Sequence, residues 1–178
     1  MSNDIETRLA AMEKTVQRLS DIEEIRQLRH RYHQCINEGE FAAIPDLFVE
    51  DGWLDFSYIG KAAGRATLTK FFAEAPKVLP FIRQFIHNHI IDVDGDRASA
   101  VSYMEARSIN DGEAYNIAGR YDDDCVRQDG VWKYQSMISG PITPCRITKA
   151  GRRTTALKWP AARNRGRRRC CFQDLIKI

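Results

Sequence analysis

The chain has 178 residues, 43% of them hydrophobic and 29% charged, which suits one domain able to bury its own core. Its formal net charge of +3 joins two unlike segments: residues 1–145 carry 16 Lys and Arg against 23 Asp and Glu, and residues 146–178 carry 11 against Asp174 alone. No apolar run approaches the roughly 18 residues that cross a bilayer, and the first residues, Met1 to Glu6, lack the basic and apolar regions of a signal peptide, so no membrane partner is expected.

Apolar side chains recur at Ile5, Leu9, Met12, Val16 and Leu19. That 4-3-4-3 spacing predicts an N-terminal helix over 1–20 with a coiled-coil-like stripe. Ser20 to Glu23 has the form of a capping box and predicts a second helix from about Asp21. Its inward face is Ile25, Leu28, Tyr32, Cys35 and Ile36, and Gly39 ends it. His30 and His33 fall off this stripe and are expected in solvent. A short helix is expected over 41–48.

A strand rich in aromatics follows over 52–59. Leu54, Phe56 and Tyr58 share one parity in it, and Trp53 and Asp55 the other. Gly60 to Gly64 reads as a turn. Leu68, Phe71 and Phe72 mark a helix over 66–75, closed by Pro76 and Pro80. Beyond it the period is two, with strands expected at 82–93, 97–109, 114–127 and 131–139. The turns between them contain Asp94-Gly95, Asp111-Gly112 and Asp129-Gly130, each a hairpin signal. Helices followed by such a meander predict an α+β fold. The expected architecture is a curved antiparallel sheet with three helices on its concave face and a separate N-terminal helix. The domain would span 21–145.

The run Asp122-Asp123-Asp124 alternates across both faces of a strand and reads as a solvated acidic edge. Cys125 reads as core. The five cysteines (35, 125, 145, 170 and 171) are odd in number and lack metal-ligand spacing. Reduced thiols in a cytoplasm are the expectation. Residues 146–178 show no sustained period and form a basic tail outside the core. Arg163 to Arg169 holds five arginines. A nucleic-acid-binding arm would call for interleaved aromatics or a fold motif; only Phe172 is near, so nucleic acid is not the expected partner.

Three stretches together resemble the SnoaL-like, nuclear-transport-factor-2-like superfamily. They are Arg31 to Phe41 with Asp46 to Gly52, Asn88 to Ala98, and Ala118 to Lys133. The leading helix is similar to that of bile-acid 7α-dehydratases, the third stretch to hexachlorocyclohexane dehydrochlorinase, and the first to ketosteroid isomerase. The resemblance implies a cone-shaped domain around an apolar pocket. It also implies acid–base chemistry on a hydrophobic small molecule, with no metal or organic cofactor. A carboxylate in such a pocket is a stronger base than in water, and a nearby His or Tyr can stabilise charge or pass a proton.

Position by position, Tyr32 falls on the family's pocket tyrosine. Asn37 stands where dehydratases place an Asp, and Gln84 where they place its partner His. Phe56 stands at the strand carboxylate of the isomerases, with Asp55 one residue away. The candidate catalytic groups are then Tyr32, which would donate a hydrogen bond, and a displaced base, Asp55 or His87, which would move the proton. Asn37, Gln84, Leu54, Phe56 and Tyr58 become candidate ligand contacts. His87 and His89 share a parity opposite to that of Gln84. Two functions follow: a cofactor-independent lyase or isomerase with an altered catalytic set, or a non-catalytic binding or structural subunit like a dioxygenase small subunit. A titratable group inside the pocket separates them. The uncovered sheet face and the Ile5–Leu19 stripe predict a homo-oligomer, a dimer or a trimer.

Overall fold

The computed structural model describes residues 2–57, 59–78, 80–110 and 113–146. Its first element, helix α1 (Ser2–Glu38), is a single rod, about 55 Å long at 1.5 Å per residue. The break expected at Ser20 does not form. Ser20 donates to Glu24 at 3.1 Å and Gln17 to Asp21 at 2.9 Å, one helical turn apart in each case. The capping-box residues are thus accommodated in mid-helix, and no Gly or Pro precedes Gly39, whose φ of +80° ends the rod.

A 3-10 helix, Phe41–Leu47, leads into strand β1 (Phe48–Asp55) and the short β2 (Lys61–Ala63). Sequence alternation read β2 as turn, because three residues carry no period. Helix α2 (Arg65–Val78) follows and contains Pro76 near its end rather than stopping at it. Four long strands complete the fold: β3 (Phe81–Asp94), β4 (Arg97–Asn110), β5 (Glu113–Gln128) and β6 (Val131–Arg146). The tail beyond Arg146, Tyr58 and the turn at Asp111-Gly112 lie outside the described residues.

The six strands run in the order β2-β1-β6-β5-β4-β3. Every pair is antiparallel except β1 with β6, so the sheet is mixed rather than wholly antiparallel. β1 and β6 are not joined by a turn, so no hairpin dictates their direction. The antiparallel pairs expected of a meander, β3 with β4, β4 with β5 and β5 with β6, form. Asp129 and Gly130 both have positive φ, 52° and 77°, as a tight two-residue turn requires.

The core lies between α1, α2 and one face of the sheet. From α1 it takes Ile25, Leu28, Tyr32, Cys35 and Ile36; from β1 Leu54; from β4 Ala98, Ala100 and Met104; and from β5 and β6 Tyr121, Cys125, Tyr134 and Met137. Before Asp21, every helix residue from Asp4 onward is exposed.

Candidate functional site

Helix α1 carries a second ladder beside its apolar stripe. Asp21, Ile25, Arg29, His33 and Asn37 recur every four residues and so share one helix face. Each polar member reaches the strands. Asp21 pairs with Arg127 and accepts from the Trp132 indole at 3.4 Å. Arg29 pairs with Asp123. His33 Nδ1 lies 2.9 Å from Gln84 Oε1. Asn37 brackets the main chain of Gln84, donating to its carbonyl at 2.8 Å and accepting from its N–H at 2.7 Å.

The centre of the interior is the Arg29–Asp123 ion pair, with side chains 0% and 1% exposed. A buried pair must be enclosed by compensating groups, and here these are aromatic. The guanidinium sits 4.2 Å from the Tyr121 ring centroid, 5.0 Å from Tyr134 and 5.2 Å from Tyr32, within cation–π range of all three. Burial works against its charge, but Asp123 and the tyrosines outweigh it, so Arg29 stays protonated. Burial raises the Asp123 carboxyl and the guanidinium pulls against that rise. Tyr32 and Tyr121 hydrogen-bond each other, and burial pushes both hydroxyls upward.

His33 adjoins this cation. Burial first, and then the Arg29 charge, push its pKa down to about 3. The imidazole is therefore neutral at ordinary pH. The Gln84 oxygen can only accept, so the proton of that neutral ring sits on Nδ1. Nε2 is then a bare lone pair; it is buried and has no hydrogen-bond partner among the described residues. His89 reaches the same interior, its pKa lowered to about 4 by burial and by Arg29. Both of its ring nitrogens are buried without partners, as are Ser102 Oγ and the Tyr134 hydroxyl. His89, Ser102 and Tyr121 are register neighbours on β3, β4 and β5, a polar row beneath α1. Phe56, Phe71 and Phe72 wall the site against Tyr32 and Tyr121. No group of three His, Cys, Asp or Glu side chains with metal-site geometry occurs among the described residues.

Several sequence expectations are corrected here. Asp55 does not enter the interior. It caps the Ser57 turn, accepting from that N–H at 3.1 Å, and pairs with Lys61 at 3.0 Å. His87 is half exposed, 3.9 Å from Glu105. A register shift between Ile86 and His89 reverses the strand's alternation, so His89 joins Gln84 on the inner face and His87 points out. Asn37 binds the main chain of Gln84 through both of its amide atoms. His33 is buried rather than solvated, and Asp123 is a core anion rather than part of a wet edge. Tyr32, Gln84, Leu54 and Phe56 are buried where an inner wall was expected. Tyr58 lies outside the described residues. Arg29, Ser102, Tyr121 and Tyr134 were not singled out, whereas His33 was expected in solvent, Asp123 on a solvated edge and His89 on the face opposite Gln84. The four-residue ladder from Asp21 to Asn37 was the available signal for Arg29 and His33. The shift that turns His89 inward has none in the sequence.

A family model described as a SnoaL-like domain matches residues 17–138. An uncharacterised protein of Mycobacterium tuberculosis is 27% identical over 123 residues, covering 67% of this chain and 84% of its own length. Among solved structures, a scytalone dehydratase-like protein of Novosphingobium aromaticivorans superposes with a TM-score of 0.68 at 21% identity, covering 79% of this chain and 99% of that one. Hexachlorocyclohexane dehydrochlorinase LinA-type3 of Novosphingobium barchaimii gives 0.69 at 15% identity, with 79% and 97% covered. At such identities the likeness shows the fold alone.

Proposed function

Since the chain belongs to the SnoaL-like domain family, we propose that its interior runs cofactor-independent proton chemistry, a lyase or isomerase reaction on an uncharged, mostly apolar small molecule. One observation carries this reading: the bare, buried Nε2 of His33, with the ring's proton held on Nδ1 by Gln84. In an elimination, Nε2 takes a proton from the carbon beside a carbonyl. The C–H electron pair becomes the new double bond, and the bond to the leaving group on the next carbon breaks. The imidazolium then returns its proton to a leaving hydroxide, water departs, and His33 is neutral again. In an isomerisation the same proton is returned to a different carbon.

An imidazole with a pKa of about 3 is a weak base on its own. The balance changes as substrate reacts. Arg29 disfavours an imidazolium, but it favours the negative charge that builds on the substrate oxygen at the same moment. Tyr32 and Tyr121, whose rings pack against Arg29, would donate hydrogen bonds to that oxygen. The dehydratase and dehydrochlorinase labels of the structural neighbours support elimination as the first chemistry to try. The test is a panel of ring ketones bearing a β-hydroxyl, followed by absorbance of the conjugated product. His33→Ala should lose at least about 100-fold in kcat, whereas Asp55→Asn and His87→Ala should keep the wild-type rate. No turnover across the panel, or full activity in His33→Ala, would refute the assignment.

A second reading, binding without turnover, is favoured by one feature. The interior is filled by its own side chains: Tyr32, Tyr121 and Tyr134 are each 2% exposed or less. That reading predicts saturable ligand binding and no product in the same assay.

A further inference from the structure

The first five turns of α1 have no function in the site, and they carry five exposed large hydrophobic side chains. Ile5, Leu9, Met12, Val16 and Leu19 are 54–64% exposed. They form one stripe on a helix whose residues from Asp4 to Ser20 are all exposed, with Arg18 lying 3.9 Å from Asp92 of β3. From this stripe we infer that residues 5–19 pair with the same residues of another copy of the chain, as a parallel, in-register coiled coil.

Three observations select that occupant. First, the 4-3-4-3 spacing is the seam of a heptad repeat, which meshes best with a second seam of the same period. An arbitrary groove would accept a wider, 3.6-period stripe. Second, the charges flanking the seam set its orientation. Leu9 and Val16 take heptad position a, and Ile5, Met12 and Leu19 take position d. Arg8 then falls at g and Glu13 at e. In a parallel pair g meets the e residue five positions on in the other helix, so Arg8 faces Glu13 of the second copy, twice by symmetry. An antiparallel pair would set e against e, bringing Glu6 and Glu13 together. Third, neither Arg8 nor Glu13 has an ion-pair partner within the described chain, so both are available across such a seam. The helix has no break at Ser20, so the seam is rigidly continuous with the domain core. The two domains therefore emerge side by side from one end of the coil.

The seam is barely over two heptads long, so the association should depend on concentration within the micromolar range. Sedimentation velocity of the full chain, under reducing conditions from about 1 to 200 µM, reads it directly. Assemblies of two or more copies should form as concentration rises, and Leu9→Glu with Val16→Glu should leave monomer throughout. Because those residues are exposed, the thermal midpoint of the dilute double variant should equal that of the dilute wild type. Arg8→Glu alone and Glu13→Arg alone should each weaken association roughly fivefold, and the two together should restore it. A monomer at every concentration, assembly indifferent to Leu9→Glu with Val16→Glu, or a charge swap without rescue would each overturn the parallel pairing.

Discussion

At the scale of single residues, the site turns on how one imidazole is held. Gln84 performs half of what a carboxylate partner would. It fixes the tautomer of His33 and contributes no charge to stabilise the imidazolium. Two outcomes follow. Between about pH 5 and 9 the wild-type rate should be flat, because His33 does not protonate until about pH 3. Gln84→Glu should place an anion beside the ring and raise that pKa, so that activity falls with acid near neutrality; a pH–rate profile distinguishes the two. The same depression bears on stability. Unfolded, His33 and His89 take up protons near 6.5; folded, not until about 3 and 4. Within that window the unfolded chain binds more protons. Their stabilisation is therefore complete above about pH 6.5 and is lost as pH falls toward 3. His33 alone accounts for on the order of 5 kcal/mol across the window. Denaturant melts of wild type and His33→Leu from pH 7 to 4 should show the variant losing less. An equal loss in both would contradict the account.

At the scale of elements, two small contacts set the geometry of the inner wall. Asn37 fastens the end of α1 to the main chain of β3 at Gln84, the residue that orients His33. Asn37→Ala should cost roughly 1–3 kcal/mol in a thermal melt and should also loosen the His33 tautomer. Gly52 sits where the β1–β6 register shifts. A Cβ there would lie 3.0 Å from the Val49 carbonyl oxygen and 3.1 Å from that of Tyr134. These are backbone atoms that cannot swing away, so Gly52→Ala should lower the melting midpoint by several degrees, about 1–3 kcal/mol. Strands β3, β4 and β5 and the turns at Asp94-Gly95 and Asp129-Gly130 were legible in the sequence because Asp-Gly turns and two-residue alternation are local, whereas β1 starts at Phe48 rather than at 52 and β6 runs past 139 to Arg146. The apolar wall of Leu54 and Phe56 was legible for the same reason. The union of the first two helices was not, since a capping box states only what Ser20 and Glu23 can do. Nor was the inward turn of His89, because one extra residue in β3 inverts every parity after it. Asp55 failed for the opposite reason: its parity was read correctly, and no bulge brought it inside.

At the scale of the whole molecule, the chain combines a projecting helix, an enclosed polar interior and a basic tail. We propose that residues 147–178 add nothing to the core; removing them should leave the melting midpoint within about a degree of the full chain, and a loss of several kcal/mol would show that they pack. The interior follows a different logic. Arg29 and Asp123 form a permanent buried pair whose removal strands a charge, so Arg29→Met should unfold the domain at ordinary temperature, whereas Arg29→Met with Asp123→Leu should partly recover it. A circular-dichroism melt reads both. Around that pair the molecule holds the His33 and His89 imidazoles uncharged, and every mechanistic claim above depends on the neutral His33 ring and its inward Nε2 lone pair. The direct measurement is a long-range proton–nitrogen NMR spectrum of the imidazoles, with His33 assigned by comparison with His33→Gln and followed from pH 8 to 5. The account predicts a neutral His33 ring protonated at Nδ1 whose shifts do not move over that range. A ring protonated at Nε2, or one that takes up a second proton within it, would contradict the account.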